Sequence, residues 1–122
     1  MEAAVWQAIE RGLTCDITTI GRMSGQPRRI EIWYFVIAGD VYISGTPGAR
    51  DWLANLRVHP GFTFHVKHGA RADLPAHAEI IDEPGDRRRI MAQLMQANSY
   101  FAGGDLEAWV AGSPLVRVHF ER

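Results

Sequence analysis

Hydrophobic residues change their spacing several times along the chain, and each change marks an expected element. Apolar residues at helical spacing over residues 3–11 predict a first helix that ends at Gly12. Strand-like runs rich in Ile, Val, Thr, Tyr and Phe follow. Strands are expected in this way at residues 15–20, 28–37, 41–44, 62–67, 72–81 and 116–120.

Helical spacing returns at three places between these strands. Asp51 is a typical capping residue for a short helix that carries Trp52 and Leu56. The longest helix is expected at residues 84–98, where proline and acidic side chains suit a first turn. A last short helix is predicted at residues 105–110, before the final strand.

The order of these elements predicts the fold class. Because the chain lacks the alternation of strands and helices that builds a parallel sheet, a mainly β (α+β) fold is favoured. We predict a six-stranded antiparallel split β-barrel with a short interstrand helix and a longer helix before the last strand, in one domain over residues 1–122. The second strand is apolar at every position from Ile32 to Ile37, so both of its faces should be covered, by the chain's own helices or by a second subunit of a homodimer.

Composition narrows the function classes. The 122 residues are 47% hydrophobic and 22% charged, as in ordinary soluble globular proteins. Lysines and arginines number 13 against 14 acidic residues, which gives a net charge of −1, so no global charge favours nucleic acid or an anionic membrane as a partner. A lone Cys15, an N-terminus without a secretion signal and the lack of an apolar run of about 18 residues predict a cytoplasmic protein.

Catalysis by the chain's own side chains is poorly supported. Cys15 lies inside an expected strand, where a small core residue is the simplest interpretation. His65 and His68 would point to opposite faces of another strand, so no metal site is expected. Three consecutive arginines at 87–89 would splay around their helix, which predicts solvated side chains. We therefore expect neither a catalytic side chain nor a metal.

The loop between the first two strands carries the clearest functional signal. Gly21 and Gly25 would let the backbone turn with its amide groups inward, and Ser24 adds a hydroxyl. Arg22 and Arg28 add guanidinium groups suited to phosphate or carboxylate. The segment predicts an anion-binding loop; a polar hairpin loop with solvated arginines is the alternative.

A second loop, at residues 45–48, follows the third strand and contains two glycines that would expose backbone donors. If both loops lie at the same edge of the barrel, one would bind the acidic tail of a ligand and the other its flat ring. A protein built in this way would take its reactivity from a cofactor.

The two loops and the helix after them carry a resemblance to a known family. The residues concerned are Thr19-x-Gly21-Arg22-x-Ser24-Gly25-x-Pro27-Arg28, the loop at 44–48, and Trp52-x-x-Asn55-Leu56 with Pro60. In this order and spacing they resemble the deazaflavin-dependent nitroreductase family of actinobacterial type, built on the flavin-type split β-barrel. The resemblance implies reduction of quinones, nitroaromatics or similar small electrophiles with hydride from reduced coenzyme F-420, a deazaflavin with a phosphate and polyglutamate tail.

The resemblance also implies which residues contact the cofactor. Those expected at the tail are Arg22, Met23, Ser24, Gly25 and Arg28. Those expected at the deazaflavin ring are Ser44, Gly45, Thr46, Pro47 and Gly48. Trp52 and Asn55 would flank that second loop, either in contact with the cofactor or as a buried aromatic and a helix-side hydrogen bond.

Two departures from the family pattern bear on the cofactor. Met23 and Gly45 stand where the resemblance implies lysines, and Arg29 or Arg50 would have to replace that charge. Flavin mononucleotide (FMN), whose single phosphate needs fewer cations, is therefore an alternative cofactor, and a non-catalytic flavin- or deazaflavin-binding module is an alternative function. Near the end of the long helix, the candidates for the substrate pocket, or for simple core packing, are Tyr100 and Phe101.

Overall fold

Six antiparallel strands close into a barrel in the order β1-β2-β3-β6-β5-β4 in the computed structural model, which describes residues 1–98 and 101–121. The strands are β1 Thr14–Ile20, β2 Pro27–Ile37, β3 Asp40–Ser44, β4 Gly61–Val66, β5 Ala72–Ile80 and β6 Leu115–Phe120. The helices are α1 Ala3–Arg11, α2 Asp51–Val58, α3 Pro84–Ala97 and α4 Leu106–Gly112. The predicted six-stranded split barrel with its interstrand helix and its longer helix before the last strand is confirmed.

The barrel interior is filled by side chains, as its small number of strands requires. Alternate residues of each strand point inward, such as Cys15 and Ile17 of β1. Ile9 of α1 joins the same apolar cluster, as do Trp52 and Leu56 of α2. Burial of one face of each of these two helices against the barrel therefore fixes their positions.

A second apolar cluster lies outside the barrel. Phe35 of β2 and Tyr42 of β3 pack there against Leu94 of α3 and Trp109 of α4. The continuous apolar run of β2 is explained by this arrangement, because Ile32 faces the barrel interior while Phe35 faces the two helices. The chain's own helices cover the outer face of β2 at Phe35, whereas Trp33 on the same face is 37% exposed, so the prediction that both faces are covered is wrong at Trp33.

Strand β2 is much longer than its partner β3, and this mismatch prepares the site. β3 pairs with β2 only over residues 34–37, whereas β1 pairs with β2 over residues 27–33. Within the described part of the chain, the first half of β2 therefore has a strand neighbour on one side only. The β1–β2 hairpin ends beside α2, so the loop at 21–26 and the helix face each other.

Two local predictions were wrong. Asp51 is the first residue of α2 and not its cap; the capping position belongs to Arg50, whose side chain makes no capping hydrogen bond. Arg87 is half-buried and not solvated, because it donates to the carbonyl oxygens of Val110 and Ser113 at 2.9 and 2.6 Å. These carbonyls lie at the end of α4, where the helix itself supplies no donors.

Cys15 should be inert in the folded protein. Its side chain has 0% exposure, and burial, with a smaller contribution from the neighbouring Asp16 carboxylate, raises the pKa of the thiol to about 12. Because the thiolate is the reacting form, a chromogenic disulfide reagent in mildly alkaline buffer should release no colour from native protein and one equivalent after denaturation. Release from native protein at the rate of a free thiol would contradict this burial.

Candidate functional site

A groove of about 680 Å³, here called the hairpin groove, lies between the end of the β1–β2 hairpin and helix α2. It brings together most of the loop residues predicted to bind an acidic tail and both predicted residues of α2. Its lining residues are Thr19, Gly21, Arg22, Met23, Ser24, Arg28, Ile30, Asp51, Trp52 and Asn55.

The buried side chain of Asn55 joins the hairpin to the helix. Its Oδ1 accepts hydrogen bonds at 3.0 Å from both the backbone N–H and the Nη1 of Arg22. Its Nδ2 donates to Thr19 Oγ1 at 3.4 Å. Arg22 also forms an ion pair with Asp51 at 3.4 Å. The guanidinium of Arg22 is therefore held against α2 by the protein itself, and the expectation of a helix-side hydrogen bond from Asn55 is confirmed.

Arg28 differs from Arg22 in having no such anchor. Its strand position lies opposite Thr19, and it lines the hairpin groove. Within residues 1–98 and 101–121, no hydrogen bond or ion pair engages its guanidinium group. A cation in this state keeps its full capacity to bind an anion that enters the groove.

The hairpin loop offers fewer free backbone amides for binding an anion than expected. The N–H groups of Gly21 and Gly25 donate to the carbonyls of Gln26 and Gly21, both at 2.9 Å. The N–H of Gln26 donates to Ser24 Oγ at 3.1 Å, and that of Arg22 is taken by α2. The prediction that these amides point inward was wrong, because the tight turn, with φ of 69° at Gly25, uses them internally.

A second groove of about 360 Å³, here called the loop groove, lies on the other side of Trp52. Its lining residues are Glu31, Ile32, Trp33, Ser44, Gly45, Thr46, Arg50, Trp52 and Phe101. Trp33 and Phe101 meet edge to face with their ring centroids 5.9 Å apart. Since Trp52 lines both grooves, the cationic space and the aromatic space are adjacent.

Arg50 fixes the loop that forms one wall of this second groove. Its Nη1 donates to the Gly48 carbonyl and its Nη2 to the Thr46 carbonyl, each at 2.8 Å. A Cβ atom at Gly48 would lie 2.9 Å from Nη1, and one at Gly45 would lie 3.3 Å from Nη2. Gly48 also has a φ of 139°, which side chains rarely adopt. Glycine at these two positions therefore allows the guanidinium to sit within the curve of the loop.

Residues 4–110 match the family model described as F420H(2)-dependent quinone reductase. The chain belongs to this family. The match confirms the resemblance drawn from the two loops, and coenzyme F-420 as the cofactor of the family. A comparison with curated proteins finds no match.

Solved structures similar to this F-420-dependent reductase family member share its fold. A conserved hypothetical protein from Mycobacterium tuberculosis is 23% identical with a TM-score of 0.74, over 100% of this chain and 81% of that one. A putative 5-nitroimidazole antibiotic resistance protein from Bacteroides thetaiotaomicron is 13% identical with a TM-score of 0.73, over 100% and 81%. A heme storage protein from Vibrio cholerae is 15% identical with a TM-score of 0.68, over 99% and 90%. At these identities the likeness concerns the fold alone.

The donor chemistry of both grooves fits a cofactor of the F-420-dependent family. An acidic tail needs cations, and the hairpin groove offers the guanidinium of Arg28 with that of Arg22 beside it. A flat ring needs apolar walls and a few polar groups, and the loop groove offers three aromatic side chains beside the loop at 45–46.

Several residues predicted at the site take other positions in this family member. The buried Ser44 hydroxyl donates to the Pro114 carbonyl at 2.6 Å, although the residue lines the loop groove. The Gly48 N–H donates to the Gly112 carbonyl at 3.0 Å, and Pro47 packs against Gly112. Pro47, Gly48 and Gly25 line neither groove.

The two candidates for the substrate pocket have different outcomes. Phe101 packs against Trp109 with ring centroids 5.0 Å apart, as expected of a core residue. It also lines the loop groove, and its role as a wall of the substrate pocket stays a prediction. Tyr100 lies outside the described residues.

Sequence reasoning missed Glu31 and Trp33, which line the loop groove. Ile30, in the hairpin groove, was missed as well. The sequence held no signal for them, because Ile30 and Trp33 have the character of ordinary apolar strand residues and only the structure shows that each is 37% exposed. Such exposure follows from the missing strand neighbour along the first half of β2.

Charged side chains alternate across the outer face of the strands beside the loop groove. The Lys67 ammonium contacts Glu31 on β2 and Asp16 on β1, the latter at 2.7 Å. Asp16 also pairs with Arg29 at 3.0 Å. The hydrogen bond from Lys67, with help from Arg29, holds the pKa of the Asp16 carboxyl below its usual value.

A second polar constellation lies on the same outer face, away from both grooves. Thr18 Oγ1 lies 2.6 Å from His65 Nε2, and His65 Nδ1 lies 2.7 Å from Asp73 Oδ1. The contact with His65 lowers the pKa of Asp73. In the described ranges, no three His, Cys, Asp or Glu side chains are placed to hold a metal ion. No helix of those ranges could cross a membrane.

Replacing Asn55 with alanine should separate the hairpin from α2. The change removes two hydrogen bonds to Arg22 and one to Thr19, and it leaves the part-buried backbone N–H of Arg22 without its partner. We therefore expect the unfolding free energy to fall by about 2 kcal/mol or more. Urea unfolding measures this. Asp51→Ala is the matched control on the same helix, because its carboxylate is 93% exposed and its loss should cost less than about 0.5 kcal/mol. Equal effects of the two changes would contradict the anchoring role.

Proposed function

We propose that this protein is a reductase that uses reduced coenzyme F-420 to transfer hydride to a quinone, a nitroaromatic or a similar small electrophile. The observation that carries the proposal is the position of Trp52, whose side chain lines both the hairpin groove and the loop groove. A molecule with an acidic tail and a flat ring could occupy both grooves at once across this indole. Family membership supports the same chemistry.

In this proposal the hairpin groove binds the acidic tail. Arg28 has the leading role because its guanidinium has no competing partner within the described residues. Arg22 contributes charge from a position that Asn55 has already fixed, so little side-chain entropy is lost on binding. Ser24 can donate its hydroxyl proton, since its oxygen is used only as an acceptor from Gln26.

The loop groove would hold the reacting partners. When bound, reduced coenzyme F-420 supplies the hydride. Trp33, Trp52 and Phe101 would position flat rings and exclude water from the reacting faces. Arg50 lines the same groove and is already ordered by the loop at 46–48, so in this proposal its cation would stabilise negative charge that develops on the acceptor oxygen. This mechanism needs no resident acid or base for the hydride step.

Two alternatives share the barrel and the grooves. FMN would need fewer cations than coenzyme F-420, and a non-catalytic module would bind the cofactor without turnover. A side-by-side fluorescence titration with both cofactors, followed by assays with a quinone and a nitroaromatic, separates these possibilities. Tighter binding of FMN, or binding without reduction of any acceptor, would contradict the proposal. A homodimer stays a prediction that analytical ultracentrifugation can check.

Arg28→Ala should weaken binding of coenzyme F-420 about ten-fold or more, because a charge-assisted hydrogen bond contributes roughly 1.5–3 kcal/mol. Quenching of deazaflavin fluorescence measures the affinity. Arg71→Ala is the matched control: it removes the same charge from an exposed residue that precedes β5, at the end of the barrel away from the hairpin. We expect the control to bind as the unmodified protein does. If both variants lost the same amount of affinity, the contribution of Arg28 would be a general effect of charge and not of its position in the groove.

A further inference from the structure

The loop groove contains a carboxylate that the proposed hydride chemistry does not use. Glu31 and Trp33 are two residues apart on β2, so their side chains share the outer face of the strand. Both line the loop groove. The Glu31 side chain is 60% exposed, and it therefore places a negative charge beside the aromatic wall without the cost of burying it.

Among the described residues, the ion-pair partner of Glu31 is Lys67. Asp16 lies directly opposite Glu31 on β1, and Lys67 bridges the two carboxylates. β1 pairs with one edge of β2 at Glu31. The loop groove lies at the other edge of β2, which has no strand neighbour there among the described residues and which Thr46 and Arg50 border. Among the described residues that line the loop groove, Glu31 and Arg50 are the two charged ones, and they have opposite sign.

We propose that Glu31 is a specificity-determining residue that selects electron acceptors by charge. Together with Arg50 it makes the groove dipolar, so that an acceptor is oriented with its reducible oxygen towards Arg50 and its other edge towards Glu31. Neutral acceptors, or those with a hydrogen-bond donor at that other edge, are accepted. Acceptors that carry an anionic substituent there are repelled. This inference rests on the proposed function, because it assigns the acceptor to the loop groove.

The size of the effect follows from Coulomb's law. Two unit charges at contact distance in a water-exposed setting change an equilibrium about five-fold. Glu31 is solvent-exposed, and Lys67 offsets part of its charge, so discrimination of about this size or somewhat less is expected, decreasing as salt screens it.

Glu31→Gln tests the inference because it keeps the shape of the side chain and removes its charge. The assay compares kcat/KM for naphthoquinone and for naphthoquinone sulfonate at low ionic strength. In Glu31→Gln we expect a measurable fall in the preference for the neutral quinone, of up to about five-fold. This fall should be smaller in high salt. Asp73→Asn is the matched control: it makes the same charge change on the same outer face, but its partner is His65 and it lines neither groove. The control should keep the original preference.

Lys67→Met should change the preference between the two quinones in the opposite direction. It removes the cation that offsets Glu31, so the preference for the neutral quinone should rise. A fall in both Glu31→Gln and Lys67→Met would indicate a disturbed strand surface and would overturn the selective role. Thermal unfolding of each variant shows whether the barrel is intact.

A binding measurement separates this inference from the reductase proposal. Trp33 and Trp52 wall the groove, so quenching of tryptophan fluorescence reports entry of either quinone without turnover. Weaker binding of the sulfonate that is relieved by Glu31→Gln supports the inference even if no acceptor is reduced, in which case only the reductase proposal fails. Reduction of both quinones with the same preference in the unmodified protein, Glu31→Gln and Asp73→Asn would overturn the inference and leave the reductase proposal standing.

Discussion

The carboxamide of Asn55 is the interaction on which the site depends. It is 5% exposed, and it satisfies the backbone and the guanidinium of Arg22 while reaching Thr19 on β1. A buried amide is costly unless its hydrogen bonds are made. The helix and the hairpin are therefore fixed relative to each other by the same contacts that orient a cation towards the hairpin groove.

The arginines of the site differ in how firmly the protein holds them. Arg22 is ordered by the protein, whereas Arg28 has no partner within the described residues. Arg50 resembles Arg22 in being ordered in advance, here by the carbonyls of Thr46 and Gly48. A site of this kind combines two pre-positioned cations with one free guanidinium, which keeps the entropic cost of binding an acidic ligand low.

Strand length is the second determinant of the site. β3 accompanies β2 over residues 34–37 alone, so the earlier half of β2 exposes Ile30 and Trp33 and leaves room for both grooves. Farther along, the same strand is covered by α3 and α4 through Phe35. One continuous apolar run thus supplies a sealed core at one end and an open aromatic wall at the other.

Local sequence alone determined the elements, the fold class and the identity of the loop that carries Arg22 and Arg28. These features depend on spacing, turn residues and short motifs, which are read within a few residues. Tertiary structure decided which amides of that loop were already used, that Arg87 faces carbonyls of another helix, and that Glu31 borders an aromatic groove. The turn uses several of its amides within a few residues, whereas the other outcomes join residues far apart in the chain. The Arg22 N–H reaches Asn55, 33 residues away, and Arg87 reaches Ser113, 26 residues away, so a short local pattern cannot specify these contacts.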